Sequence, residues 1–579
     1  MAENELREVI RKIALLNAVD YGGKARADPV LGKLLAERSQ LKSRVKEVAS
    51  IVEKVVQEVN ELSPDEQRKI VEKKYPEELT KEKLKKERKL PSLPNAKKYV
   101  QVVTRFAPNP DCVLHLGSAR AIVLCYEYAK MYNGLFYMRF EDTDPKHKRP
   151  NLKFYDSIRE DLKWLGCKPD KEFIQSDRLP IYYEHAERLL KDGNAYVCTC
   201  KPEDFRRKTI SKQSCPCRNL PPNEHLTRWK HMLDGGYQEG EAVVRVKTDL
   251  NHPNPAVRDW PALRIIDTGK HPHPRVGGKY RVWPLYNFAC GVDDHLMGVT
   301  HVIRGKEHLT NEVRQKFMYH HLGWTYPEAI HYGRLKIAGA SLSKSKIVQG
   351  IRDGTFKSWG DPRLATLVAL RRRGITPEAI RKLIIDVGPK TVDAMISWEN
   401  LYAYNRKLID PAANRYFFVC NPVQLTVKSV PHMVTSELPL HPDHPERGVR
   451  RFKIDPTEGK ALFWVSSNDS GLLKIGKIVR LMELFNVQVE TAESFSIKAV
   501  FHSKSYKEAR KMATPLIHWI PIETGIPCEV IMPDASKAEG VAEDECKKLH
   551  VDEIVQFERF GFVRIDKLNK KLTAYFSHR

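Results

Sequence analysis

The chain has 579 residues, with 97 Lys and Arg against 73 Asp and Glu, giving a formal net charge of +24. That length exceeds one hydrophobic core, so several domains are expected, and a positive excess of this size points to nucleic acid or an anionic surface as partner. No run of about eighteen apolar residues is present, which excludes a membrane-spanning helix; the start Met1-Ala2-Glu3-Asn4-Glu5 lacks a signal peptide's basic and apolar regions; and eleven cysteines, seven scattered and four clustered, suit a reducing cytoplasm with one metal site.

Residues 1–80 read as a helical module. Leu6, Val9, Ile10 and Ile13 mark a helix stopped by Gly22-Gly23. Leu41, Val45, Val48, Val52, Val55, Val59 and Leu62 alternate steps of four and three along a longer one. The same spacing also fits a coiled-coil dimer seam. In Ser63-Pro64-Asp65-Glu66, Ser suits the N-cap, Pro the first helical position and Glu the third. Residues 81–98 are a basic linker, in which Lys81 to Lys89 alternate charge and Pro91 and Pro94 break the pattern; a solvated spacer and an RNA contact fit it equally.

Residues 99–103 read as a buried strand, broken at Pro108 and Pro110. A helix pattern then runs through Ala119, Ile122, Val123, Tyr126 and Ala129. A strand, a turn and a helix N-terminus make an anion site, because the first amides have no helical partners. His115 lies in that turn, and Gly117 lets a ligand approach the backbone. A strand over 135–140 delivers Glu141 and Asp142 at its end, and helices follow over 154–165 and 179–192. This is a doubly wound α/β pattern, whose ligands bind beyond the strand C-termini.

The pattern is interrupted over residues 196–284. Two Cys-X-Cys pairs stand there, Cys198 and Cys200, then Cys215 and Cys217. Four soft ligands favour a tetrahedral structural zinc, with free thiols as the alternative. The sheet is expected to resume through Tyr286-Asn287-Phe288 and His301-Val302-Ile303-Arg304. Between them, Asp293-Asp294-His295 has the look of an acid or metal cluster, but reads better as structural. Residues 351–410 are helical and carry Arg371-Arg372-Arg373. Beyond Pro411 come short alternating strands, expected to form an all-β region of two small barrels. Arg371-Arg372-Arg373, Asn405-Arg406-Lys407 and the Arg559 to Arg564 stretch mix basic and aromatic residues as RNA contacts do; a solvated helix face and barrel core are the alternatives. Gly471 to Lys477 nearly spells a phosphate loop, but Ile478 replaces the Ser or Thr it needs.

His115-Leu116-Gly117-Ser118 resembles the His-Ile-Gly-His signature of class I aminoacyl-tRNA synthetases. The flanking Arg105-Phe106-Ala107-Pro108-Asn109-Pro110 and Arg139-Phe140-Glu141-Asp142-Thr143-Asp144-Pro145 resemble the glutamyl-tRNA synthetase family of archaeal and eukaryotic type. Ser341-Leu342-Ser343-Lys344-Ser345 is similar to that class's Lys-Met-Ser-Lys-Ser loop, with Ser341 where its first Lys stands. The resemblance covers nearly the whole chain. It implies a helical accessory domain at 1–80, a linker at 81–98 and a Rossmann-type catalytic core at 99–195 and 285–350. An acceptor-stem domain is inserted at 196–284, a helical stem-contact domain occupies 351–410, and anticodon-binding barrels follow at 411–579.

The activity implied is ATP-dependent attachment of glutamate to tRNA(Glu), through glutamyl-adenylate, with Mg2+ accompanying ATP. The resemblance places His115, Gly117, Ser118 and Lys344 in catalysis, and Pro108, Asn109, His115, Gly117, Glu307, Ser343 and Lys344 on ATP. It places Arg105, Ala107, Asn109, Glu141, Tyr286 and Arg304 on glutamate, with the arginines reading the side-chain carboxylate and Glu141 the α-ammonium. It implies zinc on the four cysteines, a cytoplasmic monomer and no membrane partner, and leaves tRNA(Gln) open as a second substrate. Glutaminyl enzymes have Asp and Asn at the Glu141 and Asp144 positions and lack the Arg304 arginine. A glutaminyl enzyme and a catalytically dead tRNA-binding homologue are the rival readings.

Overall fold

The computed structural model describes residues 3–20, 23–75, 89–340, 342–493 and 495–579. Gly22, the Lys81–Arg88 part of the basic run and Ser341 lie outside these residues. The chain forms two compact units, Met1–Arg88 and Lys89–Arg579.

The first unit contains helices Glu3–Asp20, Ala27–Glu37, Val45–Glu61 and Pro64–Lys74. Val48, Val52, Val55 and Val59 pack with Ile10, Ile13, Ala14 and Leu34 in one core. The heptad therefore faces its own module, and the coiled-coil alternative falls away. Ser63 and Glu66 form a reciprocal capping box, with Pro64 behind the cap. The buried Gln67 amide donates to the carbonyls of Gly23, Val59 and Leu62, tying three segments together.

The second unit begins with three parallel strands, β1 (Val103–Phe106), β2 (Leu135–Phe140) and β3 (Lys171–Ile174). The expected strand over 99–103 is not there. Val100 is fully exposed, and pairing starts only at Val103, opposite Leu135 where β2 begins. Helix Leu116–Met131 returns across this sheet, burying Ala119, Ile122, Val123 and Leu124.

Strands β4 (Ala195–Cys198), β5 (Val243–Val246), β6 (Pro261–Ile265) and β7 (Val282–Pro284) form a separate antiparallel sheet. After it the chain turns into helix Tyr286–Leu296, not into a strand. Phe288, Ala289 and Val292 fall on one helical face and pack against Met318 and Tyr319. An apolar run this short cannot be told from a strand by periodicity alone. The parallel sheet resumes only at β8 (His301–Gly305), paired with β9 (Glu328–Tyr332). Thr300 joins the two pieces: its amide donates to the Val103 carbonyl at 3.0 Å, and the Val103 amide donates to its hydroxyl at 2.9 Å.

Parallel strands β10 (Leu335–Ile337) and β11 (Ala394–Ile396) are separated in the chain by helices Lys344–Arg352, Leu367–Arg372 and Pro377–Val387, and helix Trp398–Ile409 follows β11. Thr366, Thr376 and Ser397 cap the last three with their hydroxyls. Two seven-stranded sheets follow. One is made wholly from residues between Pro422 and Pro521. The other takes Arg415–Tyr416 and Phe418–Cys420 from before it and everything from Ile526 to His578 after it. The two sheets are thus nested along the chain, not consecutive.

Most of the residues read as RNA contacts lie instead at the seam between helices and sheets. Arg373 is buried and donates to the Ser577 carbonyl at 3.0 Å and the Tyr402 hydroxyl at 2.6 Å. Arg372 pairs with Asp566 and lies over the Tyr575 ring. The buried Asn405 bonds Gly374 and His578, while Arg559 pairs with Asp469 and Arg564 with Asp552 and Asp566. Phe562 is buried. Arg371, Arg406 and Lys407 stay exposed.

Candidate active site

A cavity of about 680 Å³ opens at the C-terminal ends of β1, β2 and β8. Crevices form there because the loops leaving parallel strands splay apart. Its wall includes Arg105 from β1, Ala107 and Asn109 from the next loop, Glu141 beyond β2, Tyr286, Arg304 of β8, and Glu307. Seven of the residues singled out from sequence thus meet in one place. Pro108 braces two of these loops, its carbonyl accepting the Glu141 amide at 2.8 Å.

Charge is distributed unevenly around this cavity. Arg105 donates from Nε and Nη2 to the two oxygens of Asp294, at 3.0 and 3.3 Å. Arg139 donates to the same carboxylate at 2.7 Å and to Glu141 at 3.0 Å. Asp293 takes Arg178 at 2.8 Å, Tyr182 at 2.7 Å and Gln175 at 3.1 Å. The acid pair is therefore a structural counter-charge, and neighbouring His295 stacks on Trp324 at 3.8 Å. Burial works against ionisation of Asp294, but Arg105 and Arg139 together hold its pKa down to about 2.

Arg304 is as buried as Arg105, yet its partners are neutral. Nη1 donates to Gln315 Oε1 at 3.1 Å and Nη2 to the Tyr326 hydroxyl at 2.9 Å. Among the described residues its Nε has no partner, and neither do the buried side-chain oxygens of Asn109 and Asn287. A buried guanidinium without a carboxylate is costly unless a ligand supplies the charge. Asn287 escapes a sequence reading that puts Tyr286 and Asn287 on a strand, where neighbours face opposite ways; in the first turn of a helix both reach the cavity.

Beside the cavity, His115 caps helix Leu116–Met131, its Nδ1 accepting the Ser118 amide at 3.2 Å. That bond leaves the ring proton on Nε2, and burial holds the imidazole's pKa below its usual value. A Cβ at residue 117 would stand 2.9 Å from the His115 ring, so Gly117 is what lets the ring fold over the helix end. The loop is fixed from the helical region: the Leu116 amide donates to Ala365 O at 3.0 Å, and the Leu367 amide to Leu114 O at 2.9 Å. Ser343 precedes helix Lys344–Arg352, and Lys344 forms an ion pair with Asp111, a residue the motif comparison passes over.

The four cysteines converge at one end of the β4–β7 sheet. Their sulfurs lie within 4.8 Å of one another, with Cys198 to Cys215 at 3.9 Å and Cys200 to Cys217 at 3.8 Å. Four sulfurs about 2.3 Å from one tetrahedral zinc would stand about 3.8 Å apart, so the donor set fits that ion. Hydrogen bonds from the other thiols pull Cys217 down toward thiolate, and Arg228 Nη1 approaches its sulfur at 3.6 Å.

Residues 101–411 match the family model for the catalytic domain of class I tRNA synthetases for Glu and Gln. Residues 413–503 and 516–566 match the two anticodon-binding models of the same enzymes. The chain belongs to this class I synthetase family. It is 54% identical to a glutamate–tRNA ligase of Pyrococcus furiosus, across 99% of this chain and 100% of the relative. A Pyrococcus abyssi glutamate–tRNA ligase is 55% identical over the same shares. One from Methanothermobacter thermautotrophicus is 45% identical, again over 99% and 100%. A solved glutamate tRNA ligase from Elizabethkingia meningosepticum aligns with 54% of this chain and 70% of its own, at 22% identity and a TM-score of 0.40. Among the described residues no helix is long and apolar enough to cross a membrane.

The Asp294 network yields a stability expectation. Asp294→Asn leaves two buried guanidiniums short of a counter-charge and should cost about 3 kcal/mol in denaturant unfolding at neutral pH. Because the folded pKa lies near 2, below the ordinary carboxylate value of about 3.9, the carboxylate's stabilisation is complete above that ordinary value. It is lost only as pH falls toward 2. The mutant's deficit should therefore be constant between about pH 5 and 8; a deficit that varied with pH across this range would contradict the assignment.

Proposed function

We propose that this chain is a glutamate–tRNA ligase that acts in two steps, with ATP and Mg2+ forming glutamyl-adenylate and tRNA(Glu) then accepting the acyl group. The observation that carries this reading is Arg304: a buried cation with only neutral partners, on a cavity wall that also presents Arg105 and Glu141. The side-chain carboxylate of glutamate supplies the missing charge. The amide of glutamine cannot, so glutamine binding leaves Arg304 uncompensated. Glu141 takes the α-ammonium, Tyr286 adds a hydroxyl donor, and Ala107 and Asn109 shape the wall.

In the first step an α-carboxylate oxygen of glutamate attacks the α-phosphorus of ATP. The new O–P bond forms as the bond to pyrophosphate breaks. No proton need move, so the protein's task is to align the reactants and spread charge. The Nε2–H of His115 and the Gly117 amide face the phosphates at a helix N-terminus, with the Ser118 amide holding the His115 ring in place. Lys344 neutralises charge on the α-phosphate once it exchanges Asp111 for the nucleotide; Ser343, Pro108 and Glu307 line the nucleotide side. In the second step a ribose hydroxyl of the tRNA terminal adenosine attacks the glutamyl carbonyl, its proton passes to a phosphate oxygen of the adenylate, and the acyl–phosphate bond breaks as AMP leaves. Cys198, Cys200, Cys215 and Cys217 would hold a structural zinc, which would tie the inserted acceptor-stem sheet together. The barrels read the anticodon, and the enzyme works as a cytoplasmic monomer.

Labelled glutamate should be transferred to tRNA(Glu) transcripts, and labelled glutamine to none. Transfer to tRNA(Gln) as well would make the enzyme non-discriminating, while absence of any transfer would bring forward the tRNA-binding homologue. Arg304→Ala should lower kcat/KM for glutamate at least about a hundredfold, the scale of losing one partner of a buried charge pair. An unchanged value would remove the basis for glutamate over glutamine. Metal analysis of freshly purified protein should find close to one zinc per chain. Chelation should unfold the 196–284 region in hydrogen exchange before the β1–β3 sheet opens.

A further inference from the structure

His308 lines the same cavity, among the residues just past β8, and no part of the scheme above uses it. Its ring lies against Tyr286, with centroids 5.3 Å apart. The only hydrogen bond it makes among the described residues joins its Nδ1 to Asn311 Nδ2 at 3.0 Å.

The direction of that bond is fixed by what lies behind it. Arg314 can only donate. Its Nη1 lies 3.3 Å from Asn311 Oδ1, and its Nε donates to the Ala256 carbonyl at 2.7 Å. Asn311 must therefore turn its oxygen toward Arg314 and its NH2 toward His308. An NH2 donor needs an acceptor, so Nδ1 of His308 is unprotonated and the ring proton sits on Nε2. Protonating Nδ1 would set N–H against N–H; flipping the amide would set its NH2 against the guanidinium.

We propose that His308 is a tautomer-locked, neutral hydrogen-bond donor of the glutamate pocket, presenting Nε2–H to a carboxylate oxygen of the bound amino acid, with Asn311 and Arg314 as the positioning residues that set the tautomer. This rests on the glutamate reading given above. The charged and titratable groups facing the ring agree with it. Arg304 from β8, Arg105 from β1, His331 from β9 and Lys148 from the loop beyond β2 are cationic or can become so; together with burial, the largest cause, they lower the His308 pKa to about 4. Tyr286 and Glu307 complete its surroundings in the cavity. A neutral donor here adds a third contact for an anion without placing another buried cation beside two arginines. Arg314 also borders a second cleft of about 340 Å³ on the inserted domain, and its bond to Ala256 joins that domain to the lock.

The test is the glutamate KM in aminoacylation, measured over about pH 6 to 8, the range where an ordinary His titrates. His308→Ala should raise KM about tenfold, as loss of one hydrogen bond does. His308→Gln places an amide N–H close to the lost Nε2–H and should stay within about threefold of wild type. Asn311→Asp reverses the lock: its carboxylate accepts from Nδ1, so the ring keeps Nε2–H only when charged. Its glutamate KM should rise with pH through the neutral range, where that of wild type is flat with respect to this group. His308→Gln as impaired as His308→Ala, or an Asn311→Asp profile parallel to wild type, would overturn the proposal while leaving the glutamate reading intact. Wild-type protein that charges no tRNA with glutamate would overturn both.

Discussion

The Asp294 carboxylate is the constraint on which the catalytic side of this chain depends. It receives Arg105 from β1 and Arg139 from β2, and comes itself from the helix that replaces the expected strand after β7. Two guanidiniums this close repel one another, and the acid between them offsets that repulsion and part of the cost of burying both. Arg139 in turn fixes Glu141, so one carboxylate orients a cation and, at one remove, an anion of the cavity. Asp293, its neighbour, does the same for Arg178 and carries the network into the residues after β3.

Arg304 sits outside this balance, and the contrast is informative. The protein holds both Arg105 and Arg304 buried but gives a carboxylate only to the first. Gln315 and Tyr326 orient the second without neutralising it. Rigid positioning by neutral groups leaves the charge available to a ligand and favours an anion over its neutral amide. Unpartnered oxygens on Asn109 and Asn287 at the same cavity match the further polar contacts an amino acid or nucleotide would make.

How much of this was legible in the sequence depended on how local the cause was. The helix N-terminus at His115, the capping box at Ser63 and the four-cysteine cluster are set by residues close in sequence or by a distinctive ligand set, and could be read directly. The cavity residues on β1, β2 and β8 were placed by their resemblance to a known family. Tyr286 and Asn287 were misread because a short apolar run fits strand and helix alike until tertiary packing decides. Arg373, taken with its neighbours for an RNA contact, was misread for a related reason: charge says nothing about burial, and it finds its acceptor on Ser577, far along the chain. Asp111 and His308 belong to no motif, and their relevance lies in partners that only the fold brings near. The nesting of the two large sheets leaves no mark on strand propensity.

That nesting bears on how the protein comes into being on the ribosome. The strand Leu572–His578 is not at the edge of its sheet but between Gly561–Leu568 and Ile526–Ile531. Residues 415–420, made more than a hundred residues earlier, must wait for partners from the far side of an entire intervening sheet. The intervening sheet can close first, so the natural order of folding is inner before outer. Ser577 and His578 then reach back to Arg373 and Asn405, whose neighbouring segment holds the His115 loop. The helical region that holds the His115 loop therefore gains its contacts to Ser577 and His578 only when the outer sheet forms.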